Sequence, residues 1–440
     1  MGTEYLIIGN SAGAIGAAEA LREVDRHGVL TMVSDEPYPA YCRPLLAKYL
    51  AGERTVDEML FRPADFYAQN DITLLSGNRV KRLELDSRVA HLESGEQITW
   101  NKLLLATGGV PIVPKMGGVD KKGVFTFLTL EDAQAIASFA RNAGRAVVVG
   151  GGLIGISVTE ALTKLGIGVT IVEMKDRVLN TILDEEASSI AEENLRQAGV
   201  AVITNHTVSE ISGQAFTEGV VLDSGEGIPC DLVVIAIGVL PRTELTLNTE
   251  IRVNRGIVVD LYMSTSYPGV YSCGDAAEAY DFVYAANRVT PIWLNAYIGG
   301  RIAGHNMAGI RTEYRGGTTM NALSYFGLDI AAAGAVTPSD ETNCEVISRR
   351  QDGIYRKVVL RDDVVTGMVF VREIEKSGIV FGLMRDRTNV SSFKQGLLAD
   401  DFGLAYFPEE LRRERLRTPG SGVGSRSAAL GEVERLVSGE

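Results

Sequence analysis

The chain has 440 residues, a formal net charge of −13 and a pI near 5.0. Apolar residues make up 45% and charged residues 22%, the balance of a globular protein with real cores rather than a disordered or fibrous chain. The acidity argues against nucleic acid or an anionic membrane surface as the main partner. Only four cysteines occur, Cys42, Cys230, Cys273 and Cys344, too far apart for a disulfide framework or a local metal or cluster motif, so no metal site is expected. No apolar run reaches ~18 residues, so no membrane span is expected. The start, Met1-Gly2-Thr3-Glu4-Tyr5-Leu6, has no basic n-region and fails the myristoylation pattern, which makes the cytoplasm the expected location. At about 150 residues per domain the length predicts roughly three units, or two with an insertion. Glycine, at 48 residues, exceeds the usual ~7% without a collagen period, which points to many tight turns or close backbone approaches.

In chain order, Tyr5-Leu6-Ile7-Ile8 reads as a short buried strand. It runs into Gly9-Asn10-Ser11-Ala12-Gly13-Ala14 and then an amphipathic helix to about Val24. Val29–Val33 is a second strand, ending at Ser34-Asp35-Glu36-Pro37. This is one βαβ unit and implies a parallel sheet. The same grammar returns: strand Ala146–Val149, turn Gly150-Gly151-Gly152-Leu153-Ile154-Gly155, a helix to about Leu165 closed by Gly166, and strand Val169–Val172 ending at Glu173. One apolar strand ending in glycine follows each unit, Leu103–Gly109 and Leu232–Gly238. Gly269–Asp275 is a strand ending in Gly-Asp. From about Gly316 the pattern changes to alternating stretches at Asp329–Val336, Cys344–Ser348, Arg356–Leu360 and Gly367–Val371, read as a separate α+β domain. After Thr418, Pro419-Gly420-Ser421-Gly422 reads as a flexible linker before a short helix-like stretch, Ala428–Val437.

Gly150-x-Gly152-x-x-Gly155 follows a strand and opens a helix. In that context the first glycine permits the tight turn, the second lets a pyrophosphate approach the backbone, and the third lets helix and strand pack. The phosphates would rest on the helix N-terminus. Glu173 stands about 20 residues on, where an acid meets the ribose hydroxyls and repels a 2′-phosphate, so NADH is favoured over NADPH. Lys175 and Arg177 lie close and moderate that preference. The first turn, Gly9-x-Ser11-x-x-Ala14, replaces two glycines and gains its weight from position. Ser34 occupies its acid position, and Asp35 is chosen over Glu36 to meet the adenosine ribose.

Two dinucleotide sites in one chain suggest hydride exchange between two cofactors. The chain resembles the FAD-dependent pyridine nucleotide-disulfide oxidoreductase superfamily over about Tyr5 to Leu411. The residues that carry the resemblance are the two glycine turns, Ala106-Thr107-Gly108, Leu130-Glu131-Asp132-Ala133, Ala236-Ile237-Gly238-Val239-x-Pro241-Arg242-Thr243-Glu244-Leu245 and Cys273-Gly274-Asp275. It implies an α/β fold with two Rossmann-like domains, for FAD and NAD(H), plus a C-terminal α+β interface domain. The implied boundaries are 1–115 and 245–315 for the split FAD domain, 116–244 for the NAD domain, 316–418 for the C-terminal domain and 419–440 for a flexible tail. It places Asp275 on the FAD ribitol. Gly9, Ser11, Ala12, Gly13, Val80, Ala106, Thr107, Gly108, Gly238 and Gly274 join it as cofactor contacts, and Gly150, Gly152, Ile154, Gly155 and Glu173 line the NAD side.

Disulfide reductases of this superfamily carry a Cys-x4-Cys pair after the second strand, whereas here Cys42 is alone. Arg43-Pro44-x-Leu46-x-Lys48 instead resembles the ferredoxin reductase, rubredoxin reductase and nitrite reductase branch, in which this Arg and Lys line the flavin. Lys48 there can stabilise negative charge on the reduced ring. A solvated basic pair on a helix is the alternative. Trp293 resembles the segment lying along the flavin, with plain core as the alternative. Cys42, beside Arg43 and near a helix N-terminus, is expected to have a lowered pKa if it is redox-active, as in NADH oxidases and CoA-disulfide reductases. The family's Glu two residues after the third glycine is Ser157 here. Cys230, Cys273 and Cys344 read as core residues, and the four histidines are scattered. The expected function is an NADH-linked flavoprotein oxidoreductase exchanging electrons with an iron–sulfur or rubredoxin-like protein or subunit. The chain itself is expected as a homodimer or as a subunit of a larger complex. The alternatives are a two-electron enzyme using Cys42, or a non-catalytic FAD-binding assembly subunit.

Overall fold

The computed structural model describes residues 2–338 and 343–416, so the expected linker and terminal helix lie outside the described residues. These residues form two compact units, one of Met1–Thr181 with Ala191–Thr319, the other of Ile182–Ile190 with the chain from Met320 onward.

The first unit contains two parallel sheets built to one plan. In the first sheet the strand order is Ile72–Leu75, Leu30–Val33, Gly2–Ile8, Gln97–Leu105, with Val270–Ser272 on the far side of Gln97–Leu105. Ile8 stands beside Val33 on one side and Leu105 on the other, and Leu105 stands beside Ser272. In the second the order is Ala201–Thr204, Gly168–Glu173, Arg145–Val149, Leu232–Ile235, Val124–Thr126, with Val149 between Val172 and Ile235. The central strand of each sheet therefore delivers its glycine turn to the carboxyl edge, where a doubly wound sheet binds ligands. The central strands are buried on both faces and read as unbroken apolar runs, VVV and LII, as parallel strands must.

Periodicity did not reveal two antiparallel meanders: Val80–Glu84 with Val89–Leu92 and the first half of Gln97–Leu105, which extends the first sheet, and Val208–Ser212 with Gly219–Leu222 and Gly227–Pro229, a separate three-stranded sheet. Their apolar faces complete the cores. Leu83, Ala90 and Ile98 join Leu6, Leu103 and Trp100 in the first, and Ile211, Val220 and Leu222 join Val147 and Val233 in the second. The helix Ala12–Val24 lies against Trp293–Met307 with small residues at the crossing. A Cβ on Gly300 would stand 1.9 Å from the Gly13 carbonyl oxygen, and one on Gly304 would stand 2.4 Å from that of Ala17.

The second unit is a five-stranded antiparallel sheet in the order Met320–Tyr325, Leu328–Gly334, Val364–Val371, Ile354–Arg361, Glu345–Gln351, and it includes the helix Ser377–Arg385. Four of its strands fall on the alternating stretches of the sequence. The fifth, Met320–Tyr325, does not alternate cleanly because only Tyr325 among its residues is fully buried.

Substituting Ala for Gly300 forces a methyl into a backbone carbonyl across the helix crossing, and is expected to lower unfolding free energy by about 1–3 kcal/mol in a urea titration. Ala at Gly378, which has open space around its Cβ position, is expected to change it by less than about 1 kcal/mol.

Candidate functional site

At the first turn Gly9 has φ +128°, and a Cβ there would stand 2.1 Å from the Ala106 carbonyl oxygen, so only glycine fits. The helix that follows starts at Ser11 with no side-chain cap and no acid in its first turn. Its leading N–H groups are thus left for an anion from outside. Ala106 donates its N–H to Ile8 O at 2.9 Å, which sets the Ala106–Gly108 segment directly against the turn. Thr107 Oγ1 donates to the Arg242 carbonyl at 2.7 Å. Beyond the same strand, Val270–Ser272 leads into Gly274–Ala276, where Asp275 is partly exposed. No hydrogen bond to its carboxylate is made by any described residue. Burial pushes this carboxyl up, and the charge of Arg43 offsets the effect in part. Gly9, Ser11, Ala12, Gly13, Ala106, Thr107, Gly108, Gly274 and Asp275 are in this way brought to one sheet edge.

The loop after the second strand is held by a network that the sequence did not disclose. Asn10 accepts from Tyr67 Oη at 2.7 Å and donates to Tyr38 O at 3.1 Å. Glu36 pairs with Arg43 and accepts from Tyr41 Oη at 2.6 Å. Arg43 also donates to Leu128 O at 2.8 Å, and Tyr41 Oη accepts the Leu130 N–H at 3.0 Å. Arg43 thus ties the loop to the start of the helix Leu130–Ala140, in reach of Asp275. Asp35 accepts from Arg242 Nη1 at 2.6 Å. The matching bonds Gly9 N–H to Val33 O and Gly150 N–H to Val172 O make Ser34 the equivalent of Glu173, so Asp35 stands one residue further along. Val80 is buried in strand Val80–Glu84, and Asn78 just before it donates its N–H to Ser34 O.

Cys42 corrects an expectation. It precedes the short turn Arg43–Leu45 and a helix of only five residues, Leu46–Leu50, and is 5% exposed. Burial pushes its thiol up to about 11, against smaller opposing effects of a Leu45 backbone hydrogen bond and the Lys48 charge. A helix this short cannot offset the loss of water around a thiolate. Lys48 is exposed on Leu46–Leu50 and forms no ion pair with the described residues. Trp293 opens the helix Trp293–Met307, half-buried, its ring edge-on to Phe61 at 5.2 Å.

At the second turn Gly150 has φ +109°, with a Cβ position 2.4 Å from Ala236 O, the same constraint as at Gly9. Gly152 caps the helix Leu153–Lys164 with no side-chain bond and no acid in the first turn, and there is open space at its Cβ position. A Cβ on Gly155 would stand 1.9 Å from Gly150 O. Ile154 is half-buried beside them, and Gly238 is exposed after strand Leu232–Ile235. Glu173 is 8% exposed, and both oxygens are engaged: Gly151 N–H at 2.7 Å and Lys175 N–H at 2.8 Å. The carboxylate therefore also braces the glycine loop, a task the motif did not announce. Ser157 turns its hydroxyl back to Leu153 O at 2.9 Å.

Cys230 and Cys273 are buried as expected, whereas Cys344 is half-exposed and accepts a weak contact from Arg361 at 3.8 Å, because it lies just before an edge strand. His206, His91 and His305 each face a carboxylate at the surface. Among the described residues no cluster of His, Cys, Asp or Glu could hold a metal, and no helix is long and apolar enough to cross a membrane.

The residues present fit two dinucleotides. Each turn excludes a side chain and offers uncapped N–H groups, and Asp275 is an unpartnered carboxylate in the first site. Residues 3–290 match the pyridine nucleotide-disulphide oxidoreductase family model, and residues 320–388 match the rubredoxin NAD+ reductase C-terminal domain. The epsilon subunit of the NADH-dependent phenylglyoxylate dehydrogenase of Aromatoleum evansii is 30% identical over 403 residues, covering 90% of this chain and 95% of that one. The assimilatory nitrate reductase electron transfer subunit of Bacillus subtilis is 30% identical over 384 residues, 87% of this chain. The chain spans about half, 49%, of that subunit's length. The NAD-dependent persulfide reductase of A. fulgidus superposes with a TM-score of 0.83 at 25% identity, covering 89% of this chain and 78% of that one.

The buried thiol sets a checkable pH dependence. In the native protein, alkylation of Cys42 by iodoacetamide is expected to be negligible at pH 8, where the unfolded protein reacts readily, and to climb only as pH approaches about 11. Peptide mass mapping after timed labelling reads this out.

Proposed function

The chain belongs to the pyridine nucleotide-disulphide oxidoreductase family, and from that premise we propose that it is an NADH-linked flavoprotein which exchanges electrons with an iron–sulfur or rubredoxin-like partner. The observation that carries this reading is Cys42. It is the lone cysteine of its motif, is 5% exposed, has a thiol pushed up to about 11 and forms no disulfide. A thiol of that kind is a poor nucleophile at neutral pH, so a route through protein sulfur is disfavoured, which favours exchange of electrons with an outside partner. The relatives support this reading: one is an electron transfer subunit, another a subunit of an NADH-dependent dehydrogenase, and the C-terminal region matches a rubredoxin reductase domain.

Bound FAD supplies the conversion between a two-electron hydride from NADH and single electrons. The residues of the chain bind and orient. The N–H groups at the start of Ala12–Val24 and Leu153–Lys164 would hold the two pyrophosphates. Asp275 would accept from the ribitol hydroxyls, and Lys48 would offset negative charge at the ring. Arg43, bonded to Glu36 and Leu128 O, would keep the ring-side loop fixed. Glu173 would accept from the adenosine ribose hydroxyls of NADH while bracing Gly151. A cytoplasmic location and assembly as a homodimer or as one subunit of a larger complex accord with this reading.

Two variants test it. Cys42→Ser is expected to retain at least about half of NADH-to-viologen activity. Loss of that activity with the flavin still bound overturns the reading in favour of a thiol mechanism. Glu173→Ala removes the ribose acceptor and the charge that repels a 2′-phosphate. It is expected to raise KM for NADH about tenfold and to narrow the preference for NADH over NADPH in steady-state assays.

A further inference from the structure

One group of charges at the first sheet edge has no part in the reading above. Arg242 follows the strand Val239–Pro241, which pairs antiparallel with Gly109–Pro111. Its backbone is clasped on both sides: its N–H donates to Gly108 O at 2.9 Å, and its carbonyl accepts from Thr107 Oγ1 at 2.7 Å. This fixes where the side chain starts. Nη1 then reaches Asp35 Oδ2 at 2.6 Å, while Nε is buried without a hydrogen-bond partner. Nε lies 3.8 Å from Glu244 Oε1, and Glu244 in turn pairs with Arg79 at 3.2 Å. Asp35, Arg242, Glu244 and Arg79 thus alternate in sign around the corner bounded by Ser34, Asn78 and Val80. The far oxygen of Asp35, Oδ1, accepts nothing from the described residues.

We propose that Arg242 is the positioning residue for the adenosine ribose of FAD: it orients Asp35 through Oδ2 and leaves Oδ1 facing the ribose hydroxyls. This deepens the functional reading and rests on it, since FAD is taken as the ligand of the first site. The electrostatic reason is direct. A carboxylate beside a pyrophosphate adds like charge to the site, and a guanidinium bonded to its far side offsets that charge without competing for the hydroxyls. The bond also removes the rotational freedom that an exposed Asp at a strand end would otherwise keep. Glu244 and Arg79 hold the arrangement at its outer edge, where solvent weakens each pair. Arg242 thus acts on the ribose only through Asp35.

The test is the rate at which FAD leaves the full-length holoprotein after dilution, read as the rise of free-flavin fluorescence. Arg242→Met is expected to release FAD about tenfold faster than the parent, with Arg242→Lys in between. Asp35→Asn should release FAD at least as fast as Arg242→Met, and the double variant should be no faster than Asp35→Asn, because Arg242 acts only through that carboxylate. With an FAD analogue whose adenosine ribose lacks both hydroxyls, the parent and Arg242→Met are expected to release at equal rates. The proposal is overturned if Arg242→Met releases FAD at the parent rate. It is equally overturned if the double variant shows the product of the two single effects, or if the difference persists with the analogue, since a merely structural role would produce those results. Parent protein that carries no flavin at all would instead overturn the functional reading on which the proposal rests.

Discussion

The close approach of backbone to backbone at the two glycine turns governs much else in the first unit. At Gly9 the chain passes so near Ala106 O that a side chain would lie 2.1 Å from it, and at Gly150 the equivalent distance to Ala236 O is 2.4 Å. In both places a central parallel strand ends, turns with positive φ, and presents the start of a helix without a side-chain cap. The partner carbonyl belongs each time to the segment after a neighbouring strand, so the turn, the helix and the Ala-Thr-Gly or Ala-Ile-Gly segment form one rigid edge. An anion placed there meets N–H groups that no protein acceptor has claimed.

Charge is distributed to suit that edge. The two acids proposed to meet ribose are each held by donors of the chain: Glu173 by backbone N–H groups and Asp35 by Arg242. Asp275 has no such brace, and Arg43 lies near enough to temper its charge. The thiol at Cys42 is treated oppositely. Burial dominates its environment and favours the protonated thiol near neutral pH, the opposite of what a reactive thiolate requires.

Fold and site were legible to different degrees. The parallel core strands were legible because a strand buried on both faces is a continuous apolar run, as in Ala146–Val149 and Tyr5–Ile8. The meanders at Val80–Leu92 and Val208–Pro229 were not, because short half-exposed strands with charges such as Lys81, Arg82 and Glu210 give no stronger signal than loops. The glycine turns, Glu173 and Asp275 could be placed from spacing and resemblance. Glu36, Tyr41 and Asn10 could not, since their roles consist of bonds to Arg43, Leu130 and Tyr67 across gaps in sequence. Arg242 was visible as part of a motif, but its reach to Asp35 crosses 207 positions, and no local pattern encodes that.

The sequence by itself determined the duplicated strand–turn–helix plan, the preference for two dinucleotides and the lack of a second cysteine beside Cys42. Each of these depends on residue type at short spacing, and short spacing sets backbone conformation directly. Tertiary structure alone decided the burial of Cys42, the bonds of Glu173 to the Gly151 and Lys175 N–H groups and the pairing of Asp35 with Arg242. Those depend on how much water a group keeps and on which distant donor lies within 3 Å, and both quantities exist only once the chain has closed on itself.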